Sequence, residues 1–261
     1  MKRLISNFKG SLLILPAIFI FSLTACSSDD DDNGNGDTKA SVTIKFDHGW
    51  GPNHLPFNLN TALIHPATQE EITFTLLRYY VTNIELHHED GTVWKEEDSY
   101  RIVTVEGNSS TQEITIPNVP NGEYSAVKFM IGVEEERNTS GAQEGALSPA
   151  ENMFWDWSTG YIFFKAEGMS PAAPNGQFMY HIGGFEDPFN AIRSTTIAFG
   201  TQRLNVTSGS NTSINLKVNT ARFWHGGISL ADVFSIHMPN ANAVTIADNW
   251  IGAYRFDELK N

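Results

Sequence analysis

SVTIKFDHGW, residues 41–50, alternates apolar and polar side chains with a period of two. Val42, Ile44 and Phe46 therefore share one face of an extended chain, while Thr43 and Lys45 take the other. One step further, the same parity places His48 at the end of the inward face. Comparable short runs recur at 71–77, 80–86, 100–106, 113–116, 125–133, 161–167, 178–182, 195–198, 213–219 and 243–246. Turn-forming residues separate many of them, as in Glu89-Asp90-Gly91, Asn121-Gly122 and Asn175-Gly176. A 3.6-residue apolar period is absent until 229–234 and 247–259, which are candidates for short helices. The pattern predicts an all-β fold: an antiparallel β-sandwich of Ig-like type, a single domain over 40–261 with long loops and one or two short helices. In IPNVPNGEY (116–124), Pro and Asn-Gly set either a tight corner with Tyr124 packed over it or an ordinary loop.

The N-terminus reads as a targeting segment. Lys2, Arg3 and Lys9 precede the apolar run LLILPAIFIF (12–21), and Leu23-Thr24-Ala25 leads into Cys26. A membrane span needs about 20 apolar residues, so this run is short for one. Residues 1–25 resemble a bacterial lipoprotein signal, with Cys26 as the lipidated first residue of the mature chain. Cys26 is also the only cysteine, which excludes disulfides and cysteine-based metal sites. Residues 26–39 form an acidic, glycine-bearing tether with no apolar surface to bury. They resemble the export signal of surface lipoproteins in Bacteroidetes, or serve as a plain spacer. The expected location is the outer membrane, on its periplasmic or cell-surface face. Loss of Lys2, Arg3 and Lys9 leaves 14 basic against 30 acidic residues, a formal charge of −16. Nucleic-acid binding requires a basic footprint and is excluded on that balance. Cation attraction is compatible with it.

NMFWDWSTGYIFFK (152–165) concentrates aromatic side chains as no other stretch does. Its plain reading is a packing anchor; the alternative is an oxidisable aromatic beside a metal. The eight histidines are His48, His54, His65, His87, His88, His181, His225 and His237. Neutral imidazole suits copper or zinc, yet none of them sits in an HExxH spacing. No GxSxG elbow is present either, so no enzyme is indicated. By position, His48 and His181 end inward-facing or glycine-flanked strands, and His237-Met238 joins an imidazole to a soft thioether. His87 and His88 precede a hairpin turn, His225 stays a candidate before Gly226-Gly227, and His54 and His65 lie in loops.

RYYVTNIELHHEDG (78–91), VPNGEYSAVKFMIGVEEERN (119–138), LSPAENMFWDWSTGYIFFKAEG (147–168) and YHIGG (180–184) together resemble the MbnP-like copper-binding family. The likeness covers most of residues 41–250, and the MFWxWxxGY core is its most specific element. It implies a β-rich extracytoplasmic protein associated with a di-haem partner of the cytochrome c peroxidase type. In such relatives the partner oxidises a tryptophan to kynurenine, and histidines help hold copper. Carried onto this chain, Trp155, Trp157 and Trp50 are the tryptophan candidates. His48, His181, His237 and Met238 are the candidate metal ligands. One departure stands out: Thr139 follows Asn138 where the family commonly has histidine.

Two other classes compete. A surface module for a glycan or protein, without metal, would use Trp94, Trp224 or Trp250 as stacking platforms and bury Trp155 and Trp157. A hydrolase would need two of Asp156, Glu167, Glu186 and Asp187 about 5–9 Å apart across a substrate. Carboxylates scattered through an acidic chain are ordinarily solvated, which ranks that reading last.

Overall fold

A computed structural model describes residues 39–261 apart from Asn108, Ala142 and Trp157. The signal segment, Cys26 and nearly all of the tether lie outside the described residues. Alternation does what it predicts at residues 41–50: the strand β1 (Lys39–Trp50) buries Val42, Ile44, Phe46, His48 and Trp50 in turn. The other principal strands are β2 (Glu71–His87), β3 (Tyr100–Thr104), β4 (Thr111–Pro120), β5 (Ala126–Ile131) and β6 (Phe154–Asp156). They are followed by β7 (Gly160–Met169), β8 (Gln177–Gly183), β9 (Arg193–Ala198), β10 (Thr212–Asn219), β11 (Ser235–Ile236) and β12 (Tyr254–Lys260). Helix α1 (Glu135–Thr139) and helix α2 (Ala241–Ile251) complete the set.

Two sheets face each other. One runs β12–β10–β1–β4 and the other β9–β5–β2–β7–β8–β11, with β3 on β2 and β6 on β7. Phe46 from the first sheet meets Tyr79 and Phe129 from the second, edge to face, at 6.1 and 5.9 Å. Phe223 stacks on Trp250 at 4.3 Å. Rings that bury 150–250 Å² contribute roughly 4–6 kcal/mol each, so this aromatic layer is a main source of stability. The fold is the expected β-sandwich, with differences in pairing and in several elements.

The sheets are mixed rather than antiparallel. β1 pairs with β10 in parallel, and β11 joins β8 in parallel. Residues 71–77 and 80–86 form a single 17-residue strand, disrupted at Asn83 (φ 50°) where the register slips. Residues 243–246 are helical. The Asn240 side chain accepts a hydrogen bond from the Ala243 N–H, capping α2. Ala243, Ile246, Ala247 and Trp250 then bury one face at helical spacing. The run 229–234 forms turns instead of a helix, and 254–260 is the strand β12. Tyr124 does pack over the 116–124 corner, its hydroxyl donating to the Pro120 carbonyl at 2.9 Å.

Candidate metal site on the sheet edge

Strand β8 turns Phe178, Tyr180 and Ile182 into the core, which leaves Met179, His181 and Gly183 on the outward face. Register then decides the neighbours. On β7, Lys165 lies opposite His181 and Glu167 opposite Met179. On the other side, β11 runs parallel with Ser235 opposite Met179, and its continuation delivers His237. The His181 and His237 rings stand 6.2 Å apart between centroids and nearly perpendicular, at 87°. Sequence reading had named both without any signal that they meet.

The Glu167 carboxylate fixes the tautomer of His181. His181 Nε2 lies 2.7 Å from Glu167 Oε1, and a carboxylate accepts, so Nε2 carries the proton and Nδ1 the lone pair. A histidine oriented through its other nitrogen by a carboxylate is the usual support of a metal ligand. Burial lowers the His181 pKa from its ordinary value, outweighing the Glu167 hydrogen bond, and so favours the neutral imidazole that binds metals. His237 Nε2 sits 2.5 Å from the Ser235 hydroxyl. Nδ1 of each ring has no hydrogen-bond partner among the described residues. Among those residues, no three His, Cys, Asp or Glu side chains converge on one metal position. To hold a metal, the imidazole pair would need a donor of another kind.

A cleft of about 370 Å³ opens beside His237, walled by Glu167, Met169, Met179, Phe234 and Ser235. It holds the thioethers that sequence reading missed. Their only sequence signal was parity: Met179 precedes His181 by two, and Met169 follows Glu167 by two. Met238 is 60% exposed and is not part of the cleft wall.

Trp155 stands on the same side of the sheet. It is half-buried, and its ring lies over Gly183, where an added Cβ would come within 2.8 Å of Trp155 Cζ3 and 2.3 Å of the Tyr161 carbonyl. Gly184 permits a comparable approach by the Phe189 carbonyl and Pro239, in a left-handed conformation (φ 119°). Trp157 lies outside the described residues. Asn138 is buried: it accepts from the Tyr161 N–H and donates to the Val133 and Glu134 carbonyls. Thr139, beside it, is exposed and bonds back to its own helix, to the Glu135 and Glu136 carbonyls.

The other candidates are elsewhere. His48 is 1% exposed, with Nδ1 donating to the Ser110 carbonyl at 2.7 Å and Nε2 accepting from the Tyr79 hydroxyl at 3.0 Å. Both nitrogens are used. Burial lowers its pKa to about 4. Trp50 is 2% exposed, donates to the Ile64 carbonyl, and packs on Trp224, Phe74 and His65. His65, assigned to a loop, is buried between Trp50 and Trp224 with both nitrogens bonded. His54 packs over Gly49 and bonds Asp47, and His88 lies on the Tyr124 ring at 4.3 Å. Trp224 and Trp250 are fully buried, so neither is a stacking platform, and Trp94 is half-buried. Asp156 is the exposed last residue of β6; its carboxylate accepts from Ser158 and Thr159 in the turn that follows, and those bonds hold its pKa well below the usual range.

A family model described as MbnP matches residues 39–242. Among solved structures, MbnP from Methylosinus trichosporium superimposes with a TM-score of 0.55 at 14% identity, covering 79% of this chain and 87% of that one. No curated protein matches the sequence.

Proposed function

This chain belongs to the MbnP family, and from that premise we propose that it holds copper on the outward face of its sheet edge, through His181 and His237. The observation that carries the reading is the meeting at 6.2 Å of two imidazoles, one on β8 and one just past the end of β11, the first oriented by Glu167. Neutral imidazole suits copper, and the family resemblance favours that metal over zinc. The protein carries the metal without turning over a substrate. Lipid on Cys26 anchors it to the outer membrane, on the periplasmic or cell-surface face. The acidic balance of the mature chain draws cations toward it.

Trp155 is the tryptophan that supports a role for oxidised indole, because it shares the outward face with His181 across Gly183. A di-haem partner of the peroxidase type, using dioxygen or peroxide as oxidant, would cleave the indole ring to N-formylkynurenine, and hydrolysis would release the lost carbon as formate to leave kynurenine, a net loss of one carbon and gain of one oxygen. The product offers an amine and a carbonyl where indole offers only an N–H donor. Peptide mass mapping across 147–168 of natively produced protein reads this directly: the modified mass on Trp155 is expected, and an unmodified segment rejects the step.

Copper loading tests the reading as a whole. Protein dialysed against Cu(II) and then against buffer is expected to retain about one equivalent, measured by elemental analysis. The His181→Ala/His237→Ala double variant loses it and His48→Gln keeps it. Retention by the double variant overturns the assignment.

A further inference from the structure

We propose that Tyr79 and His48 form a proton-coupled redox pair in the core: Tyr79 gives one electron to an external oxidant while its phenol proton passes to His48 Nε2. The pair uses neither His181 nor His237. Tyr79 on β2 and His48 on β1 join the two sheets, both fully buried, with the phenol oxygen 3.0 Å from His48 Nε2. Ser110 sets the direction of that bond. Its carbonyl accepts from His48 Nδ1 at 2.7 Å, so the Nε2 lone pair faces the phenol.

Chemistry singles out this phenol among the seven tyrosines. The hydroxyls of Tyr80, Tyr124, Tyr161 and Tyr180 donate to backbone carbonyls, which are far too weak as bases to take up a proton. Tyr100 donates to the Glu134 carboxylate, but it lines a cleft open to solvent. Tyr79 alone donates to a basic nitrogen. Burial weakens His48 as a base, yet loss of an electron makes a phenol a far stronger acid than an imidazolium, so the transfer runs towards nitrogen.

The step balances. One electron leaves the Tyr79 ring for an oxidant of the high-potential metal-complex class, which is reduced by one unit. The phenol O–H bond breaks, its proton goes to His48 Nε2, and the products are a neutral phenoxyl radical and an imidazolium. The Ser110 carbonyl and the Asp47 carboxylate favour that imidazolium. When a reductant returns the electron, the proton returns with it. Phe46, Trp250 and Tyr254 pack around the Tyr79 ring and keep the radical from solvent. Trp250, 5.5 Å from Tyr79, stacks on Phe223 and gives the electron a path of rings out of the pair.

Copper-free, intact mature protein tests this with a photogenerated ruthenium(III) complex as oxidant, read by transient absorption and electron paramagnetic resonance. A phenoxyl radical is expected in wild type and in Tyr100→Phe, and is expected to vanish in Tyr79→Phe. His48→Gln keeps a hydrogen-bond acceptor and removes the proton acceptor; it is expected to slow radical formation by about a hundredfold or more. A phenoxyl that persists in Tyr79→Phe, or equal rates in wild type and His48→Gln, overturns the inference. Should Tyr79→Phe fail to fold, wild type carrying histidine labelled with heavy nitrogen decides. Its phenoxyl is expected to couple to one exchangeable proton and to a histidine nitrogen, and absence of both couplings overturns the pair. No copper is present in these measurements, so their failure leaves the copper reading standing.

Discussion

His48 shows how far one residue can be read from sequence. Its inward parity followed from Val42, Ile44 and Phe46, but its partners, Tyr79 and Ser110, come from elements 31 and 62 residues away. No local pattern announces them, so a core imidazole and a metal ligand look alike in sequence. Burial as a neutral ring has a consequence for stability. The native ring stays unprotonated down to about pH 4, whereas in the unfolded chain it takes up a proton near 6.5. Between those values the unfolded state binds more protons, so acidification favours unfolding. The contribution of neutral His48 is complete above pH 6.5 and declines toward pH 4, by roughly 3 kcal/mol. His65 and His181, also held below their ordinary range by burial, act in the same direction. Urea denaturation at a series of pH values should show the stability gap between wild type and His48→Gln shrinking as pH falls from 7 to 4. A gap that does not change with pH contradicts this account.

At the scale of the element, strand β8 organises the candidate site. Its alternation was legible in FMYHI (178–182), and so was the close approach that Gly183-Gly184 would allow. What approaches was not legible, because Trp155 reaches Gly183 only once β6 folds back on β7. Gly183→Ala would drive a methyl group into the Tyr161 carbonyl and the Trp155 ring. Overpacking of this kind costs about 1–3 kcal/mol. Chemical denaturation checks the cost, and near-ultraviolet dichroism checks the displacement of Trp155; a neutral, spectrally silent variant would mean that the ring does not rest there. Helix α2 carries the opposite lesson. Its AVTI segment (243–246) passes for a strand by composition, and the Asn240 cap together with the buried stripe through Trp250 turns it into helix.

The whole molecule was legible in class but not in topology. Repeated two-residue periods announce a β-sandwich, whereas the parallel pairing of β1 with β10 and of β8 with β11 joins segments that share no local signal. The second of those pairings brings His237 to His181. The site was therefore visible as separate residues and hidden as a pair. At this scale the anchor is also testable: Cys26→Ser should leave the protein unlabelled by a palmitate analogue and release it to the soluble fraction, and continued labelling would place the lipid elsewhere. The central claim, copper at the sheet edge, is tested most directly by anomalous diffraction at the copper absorption edge from crystals of the copper-loaded protein. The account predicts a single strong peak between the His181 and His237 rings. A peak at His48, or at any position that neither His181 nor His237 touches, would contradict it.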